Sequence, residues 1–146
     1  MKKYSLKRFL ELRPRSEKEI RDKLIQKNFK DQEIEEIIAN LRQNKIVDDQ
    51  KFAVWWVEER TTFKPRGNYL IAQELKQKGI SQDQIKKVLP NSDLELEMAK
   101  NLAENKIKQI NARDKYQKKQ KLAGYLSRKG FSWDIVSEVL NDIIKT

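Results

Sequence analysis

The chain has 146 residues, with 32 Lys plus Arg against 22 Asp plus Glu, no Cys and no His, and a net charge of +10. Without Cys and His there is no disulfide framework, thiolate nucleophile, imidazole base or ordinary structural zinc site, although a carboxylate-bound magnesium or manganese stays open. The positive balance favours polyanionic partners, and the scarcity of Gly and Pro beside abundant Leu, Lys, Glu, Gln and Ile favours helices.

Taken in chain order, Ser5 to Leu12 reads as a short first helix. Ser16 with Glu19 forms a capping box that opens the next helix, where Ile20 and Leu24 lie one turn apart. That helix is expected to end near Lys27-Asn28, since Asn tolerates the left-handed conformation. Asp31 is the expected N-cap of a helix whose Ile34, Ile37, Ile38 and Leu41 form an apolar stripe. Another helix starts at Asp48 or Asp49 and runs through Phe52, Trp56 and Arg60. Pro65 and Gly67 close that region. A helix carrying Ile71 and Leu75 leads to Gly79, and Ser81 with Gln84 forms a second capping box. Pro90-Asn91-Ser92 separates it from a helix over about Asp93 to Ile110, with Ala99, Leu102, Ala103 and Ile107 on one side. Arg113 to Lys121 is the most polar stretch and reads as a hinge or an exposed helix start. Two last helices meet at Gly130, with Ser132 as N-cap. No segment shows a strand pattern, a secretory signal near Met1, or the ~20 apolar residues of a membrane span.

The strongest feature is internal repetition. Leu24, Leu75 and Leu126 recur at a spacing of 51 residues with no gap. The same offset aligns Ile20, Ile71 and Leu122, then Phe29, Ile80 and Phe131, then Ile34, Ile85 and Val136, and it carries Asn28 onto Gly79 and Gly130. Recurrent Leu and Ile occur in any helical protein, but here the turn residues recur as well. Such a period marks a tandem array of one supersecondary unit. The expected fold is all-α, built of tandem three-helix, helix-turn-helix-like repeats. Repeat 1 covers 1–63, a short N-terminal helix plus three helices. Repeat 2 covers 64–112 with three helices. Repeat 3 covers 113–146, truncated to two.

Charge points to candidate contacts. The three repeats carry net charges of +3, +3 and +4, so the short third repeat is the most basic by density. Lys115, Lys118, Lys119 and Lys121 cluster there, followed by Arg128 and Lys129. They read either as contacts to phosphates or an acidic groove, or as a solvated helix face; at 100° per residue, not all can face one ligand. Lys64 and Arg66 stand at the junction of repeats 1 and 2 and are read as contacts. Arg60 is either a contact or the ion-pair partner of Glu59 or an Asp49-type neighbour. Trp55 and Trp56 point about 100° apart on a helix, so at least one is expected in the core rather than stacking on a base. Trp133 stands at a helix start beside Ser132 and is expected to expose its ring. Asp48 and Asp49 have no partner acids for catalysis and read as N-caps.

Three stretches taken together resemble the RecX family. They are RPRSEKEIRDKLIQKNFKDQEIEEIIANL from Arg13 to Leu41, VDDQKFAVWWVEER from Val47 to Arg60, and RGNYLIAQELKQKGI from Arg66 to Ile80. The resemblance covers nearly the whole chain and is weakest from Leu94 to Lys121. It implies three-helix units in an elongated, curved array and binding to the RecA recombinase in the groove of the RecA–DNA filament. It also implies a slowed RecA ATPase, slowed strand exchange, limited filament growth, and no cofactor. With it go a cytoplasmic monomer, single- or double-stranded DNA as secondary partner, no membrane, and no enzymatic activity. The alternative is a helix-turn-helix-type nucleic-acid-binding protein. Against it, the second helices carry Glu35, Glu36, Lys86, Lys87, Ser137 and Glu138 outward, a mixed face that suits a major groove poorly. An enzyme reading finds no converging acids and no phosphate-cradling Gly loop.

Overall fold

The computed structural model describes residues 4–144; residues 1–3 and 145–146, the outer ends of the first and third expected repeats, lie outside the described residues. Among the described residues there are nine helices and no strand, as the all-α expectation requires. They are α1 Lys7–Leu12, α2 Glu17–Gln26, α3 Asp31–Gln43, α4 Asp49–Thr62, α5 Asn68–Gln77, α6 Gln82–Val88, α7 Ser92–Ile107, α8 Lys115–Arg128 and α9 Trp133–Ile143.

Side-chain caps set most of the helix starts. Ser16 Oγ accepts from the Glu19 N–H at 3.2 Å while Glu19 Oε1 accepts from the Ser16 N–H at 3.0 Å, the expected capping box. Ser81 and Gln84 repeat it ahead of α6, with Gln84 N–H to Ser81 Oγ at 3.2 Å. Ser132 caps α9 and Asp114 caps α8, so Arg113 to Lys121 is a helix start rather than a hinge.

Several starts and ends differ from expectation. The extended residue before α3 is Lys30, and Asp31 is already helical. Lys30 has no capping oxygen, so Glu33 Oε1 reaches back to the Lys30 N–H at 2.8 Å. Asp48 caps α4 by accepting from the Gln50 and Lys51 N–H groups at 3.0 and 3.1 Å. Asp49 does not cap its own helix: it accepts the Glu17 N–H at 2.8 Å and so satisfies the first turn of α2. The equivalent N–H one repeat later, that of Asn68, is taken by Glu95 Oε2 at 2.8 Å. α1 begins at Lys7, after Ser5 Oγ has taken the Lys7 N–H. α7 begins at Ser92, because Asn91 is its cap, and stops at Ile107 rather than Ile110. Its end tightens into 3₁₀-type bonds from Gln109 to Lys106 and from Ile110 to Ile107.

The turn residues explain a difference between the repeats. Asn28, Gly79 and Gly130 all have positive φ, at 67°, 82° and 96°. A Cβ on Gly79 would lie 2.7 Å from Lys18 Cβ, and one on Gly130 would lie 2.7 Å from Leu70 Cγ. Each later turn thus packs on a helix of the repeat before it, where only Gly fits. At the first turn Asn28 serves, since Asn tolerates this conformation.

The described chain divides into two compact bodies, one of residues up to Trp56 with Leu75–Val88, the other of Val57–Glu74 with residues from Leu89 on. In the first, Ile20, Leu24, Ile34, Ile38, Leu41 and Val47 form a buried cluster, with Leu6, Phe9 and Leu10 packed on it. In the second, Met98, Ala99 and Ala103 of α7 meet Leu122 and Leu126 of α8 and Val136, Val139 and Leu140 of α9. The six residues aligned at the two strongest repeat positions, Ile20, Ile71, Leu122, Leu24, Leu75 and Leu126, are all 0% exposed.

Contrary to expectation, neither Trp55 nor Trp56 is fully buried. Both pack on Phe52, with ring centroids 6.0 and 5.7 Å away. The Arg13 guanidinium covers the three rings at 5.6–5.9 Å. Glu19 holds Arg13 there through Nη1 to Oε1 at 3.2 Å. The pair is thus a half-buried aromatic face closed by the chain's own cation.

Candidate functional site

The site begins with a glycine. Gly67 stands just ahead of α5, and its N–H donates to the Lys129 carbonyl at 2.7 Å. A Cβ at this position would lie 2.2 Å from the Gly130 carbonyl oxygen. Only Gly allows that backbone approach, and it brings the neighbouring Arg66 beside Lys129. Lys129 closes α8, and its ammonium lies 5.5 Å from the centre of the Tyr125 ring one turn back. From the last turn of α7 the Lys106 ammonium lies 5.0 Å from the same ring. Lys106 and Lys129 therefore flank one tyrosine ring, and Arg66 is near enough for its charge to be felt at Lys129.

A groove continues from there along α8. Its floor and walls include Lys106, Lys121, Gly124, Tyr125 and Arg128. Lys121 Nζ is anchored by donating to the Asn111 carbonyl at 2.6 Å, which holds it at the groove's edge. At Gly124 the groove floor is covered by Arg128, whose Nη1 lies 3.1 Å from where a Cβ would stand.

The electrostatics differ sharply from those of the first body. There Glu17 is paired with Arg42 and Arg21, and Glu19 with Arg13 and Lys78. Around the groove, Arg66, Lys106, Lys121, Arg128 and Lys129 form no salt bridge with any described residue. Burial, then the charges of Arg66 and Lys106, hold the Lys129 ammonium below the ordinary lysine range. Cations gathered without carboxylates repel one another, and an anion between them relieves that repulsion.

Of the residues singled out from sequence, Lys121 and Arg128 line the groove, while Lys129, at the Tyr125 ring, and Arg66, near Lys129, stand beside it. Lys106 joins them and was missed, since it lies outside the sequence's basic cluster. Only the early end of α7 and the short return into α8 place it there. Lys115, Lys118 and Lys119 do not line the groove, because successive residues of α8 turn away from it. Lys64 is exposed at the end of α4. Arg60 is held by Glu74, Nε to Oε1 at 2.8 Å. Trp133 is 65% exposed, as expected from its place at the start of α9. Among the described residues no group of three metal-ligating side chains comes together, and no helix is long and apolar enough to cross a membrane.

The fold defines a class: an all-helical protein of tandem three-helix units. Family profiles place it further. The RecX first three-helix domain matches residues 7–41, the second 48–89 and the third 93–140. The second of these ranges spans position 63, and the third spans position 112. Regulatory protein RecX of Clostridium tetani is 35% identical over 141 residues, covering 94% of this chain and 64% of the relative. That of a Geobacillus species is 34% identical over 134 residues, covering 90% of this chain and 49% of the relative. The crystal structure of RecX from Lactobacillus salivarius superposes with a TM-score of 0.78 at 27% identity, covering 93% and 90% of the two chains. Another RecX crystal structure gives 0.83 at 26% identity, covering 92% and 68%. The chain belongs to the RecX family of regulatory proteins.

Proposed function

We propose that this protein is a negative regulator of the RecA recombinase. It binds in the groove of the RecA–DNA filament and inhibits ATP hydrolysis, strand exchange and filament growth. It acts as a cytoplasmic monomer, without a cofactor and without catalysing a reaction, and DNA is its secondary partner. The observation that carries this reading is the match of the first, second and third RecX domains, in order, along most of the chain. The chain spans 64% and 49% of the length of the Clostridium tetani and Geobacillus relatives, so its regulatory activity is a proposal of its own.

The physical basis is avidity. A RecA filament presents the same surface again and again, and tandem repeats meet it with several weak contacts in place of one deep pocket. The unpaired cations of the second body add a long-range attraction to a polyanionic assembly. The helix-turn-helix reading gains no support from the second helices. Glu35 is exposed and ion-paired with Arg21, and Glu36 and Glu138 are exposed acids, all on faces that would meet phosphates.

Co-sedimentation tests the reading. Mixed with RecA assembled on single-stranded DNA and ATP, the protein is expected in the pellet at a stoichiometry below one per RecA, with strand exchange slowed in parallel. Absence from the pellet while strand exchange runs at its normal rate contradicts the proposal.

A further inference from the structure

We infer that the α7–α8 groove of the second body binds the backbone of a single nucleic-acid strand, with the phosphates on its cations and a base on Tyr116. This deepens the filament-regulator reading by naming the chemistry of one partner and the side chains that receive it. Its test needs no RecA, so the two ideas can fail separately.

The argument starts from the spacing on α8. Tyr116, Gln120, Gly124 and Arg128 stand four residues apart and share one face of the helix. Gln120 Nε2 donates to the Tyr116 hydroxyl at 2.9 Å, which fixes the tyrosine on that stripe. The Tyr116 ring is 67% exposed. Lys121 and Arg128 lie seven residues apart, about 10 Å along the axis. A strand stacked at the duplex rise of about 3.4 Å presents about three charges over that distance, and a more extended one fewer. A lone phosphate would use only one end of the groove; a strand uses all of it.

Chemistry selects a strand over an acidic peptide. The Arg128 guanidinium lies over Gly124, where a Cβ would stand 3.1 Å from its Nη1, and turns its donors to a phosphate chain in the groove. Single-strand sites combine a cationic track with an exposed aromatic face, and Tyr116 supplies that face at the end of this track. Tyr125 does not, because Lys106 and Lys129 already flank its ring. Burial, Arg66 and Lys106 hold Lys129 below the ordinary lysine range, and a phosphate beside it offsets that repulsion.

The test is fluorescence anisotropy of a labelled 15-mer of thymidine, and of a duplex of similar length, with the full chain and no RecA. K106Q/K129Q is expected to weaken strand binding at least tenfold. It should also flatten the slope of log affinity against log salt by about 1.4, two phosphates at about 0.7 each. K106R/K129R keeps both charges and is expected within about threefold of the parent. K86Q/K87Q, on the exposed face of α6, is expected to change affinity by less than about threefold. Y116A is expected to weaken strand binding at least fivefold and leave duplex binding within twofold. Circular dichroism accompanies each variant, and a K106Q/K129Q protein with reduced helicity is replaced by K106Q alone, with at least a threefold loss expected. Equal losses in K106Q/K129Q and K86Q/K87Q overturn the inference in favour of diffuse attraction. An unaffected Y116A overturns the single-strand assignment. No strand binding by the parent, with RecA inhibition intact but abolished in K106Q/K129Q, assigns the groove to an acidic protein surface instead.

Discussion

Glu17 and Glu19 are the residues on which the first body's electrostatics turn. The Arg42 hydrogen bond, aided by Arg21, holds the Glu17 carboxyl below the ordinary glutamate range. Burial alone would raise Glu19, but hydrogen bonds from Arg13, the Ser16 N–H and Lys78 outweigh it and its carboxyl is also lowered. The unfolded chain therefore binds these protons more readily than the folded one. The stabilisation is complete above about pH 4.5, the ordinary glutamate value, and is lost as pH falls further. Urea midpoints are expected to be flat near neutrality and to drop below that pH. E19Q should flatten the acid limb and cost about 1–3 kcal/mol at pH 7, since it uncouples Arg13 and Lys78 together. An acid limb as steep in E19Q as in the parent contradicts this account. Asp49 has the opposite sign: burial raises its carboxyl, and the folded state takes up that proton the more readily. D49N keeps an acceptor for the Glu17 N–H and removes a half-buried charge. It is expected to match the parent at pH 7, whereas D49A loses about 1 kcal/mol with the cap. At this scale the sequence was partly legible. The acids at 48 and 49 announce caps, but local spacing cannot show that Asp49 serves a helix 32 residues away. Likewise Lys106 has no local signal, and only tertiary placement brings it to Tyr125.

Helices and turns were the most legible level, because a repeat samples each position three times. The 51-residue register places Lys30 opposite Ser81 and Ser132, so the cap position of α3 at Lys30, one residue before Asp31, was available from the alignment itself. Preference for Asp over Lys as a capping side chain pointed the other way, and Glu33 resolves the conflict by capping from within the helix. The turns give a sharper test. Asn, Gly and Gly all satisfy a positive φ, yet only the two glycines pack a backbone against a preceding helix. N28G is therefore expected within about 0.5 kcal/mol of the parent, while G79N and G130N lose about 1–3 kcal/mol through the clash with Lys18 and Leu70. Thermal midpoints of the three variants decide it. A G79N protein as stable as N28G would show that conformation, and not packing, sets the choice. G67A is expected to lose more than either, because its Cβ meets backbone atoms of residues 130 and 131 that cannot rotate away.

For the whole molecule, net charge and the repeat define the account, and they do separate work. The repeat gives the RecX fold, with the same aliphatic positions buried at every 51-residue step. The charge is unevenly used: the first body pairs Glu17 and Glu19 with cations, while the cations in and beside the groove of the second form no salt bridge with a described residue. A global count of +10 reveals neither arrangement, since both bodies contain Lys, Arg, Asp and Glu in abundance. Regulation through a polyanionic filament is expected to weaken steeply with salt, and more steeply in the parent than in K106Q/K129Q. A salt dependence identical in the two proteins would detach the groove from the regulatory activity.

The most direct measurement is the ATPase rate of RecA on single-stranded DNA while this protein is titrated in. Filament regulation predicts a progressive fall in rate while RecA remains in molar excess, because each bound copy affects more than one recombinase subunit. An unchanged rate at and beyond one copy per RecA, with the protein folded and the filament intact, contradicts the proposal that this chain regulates RecA.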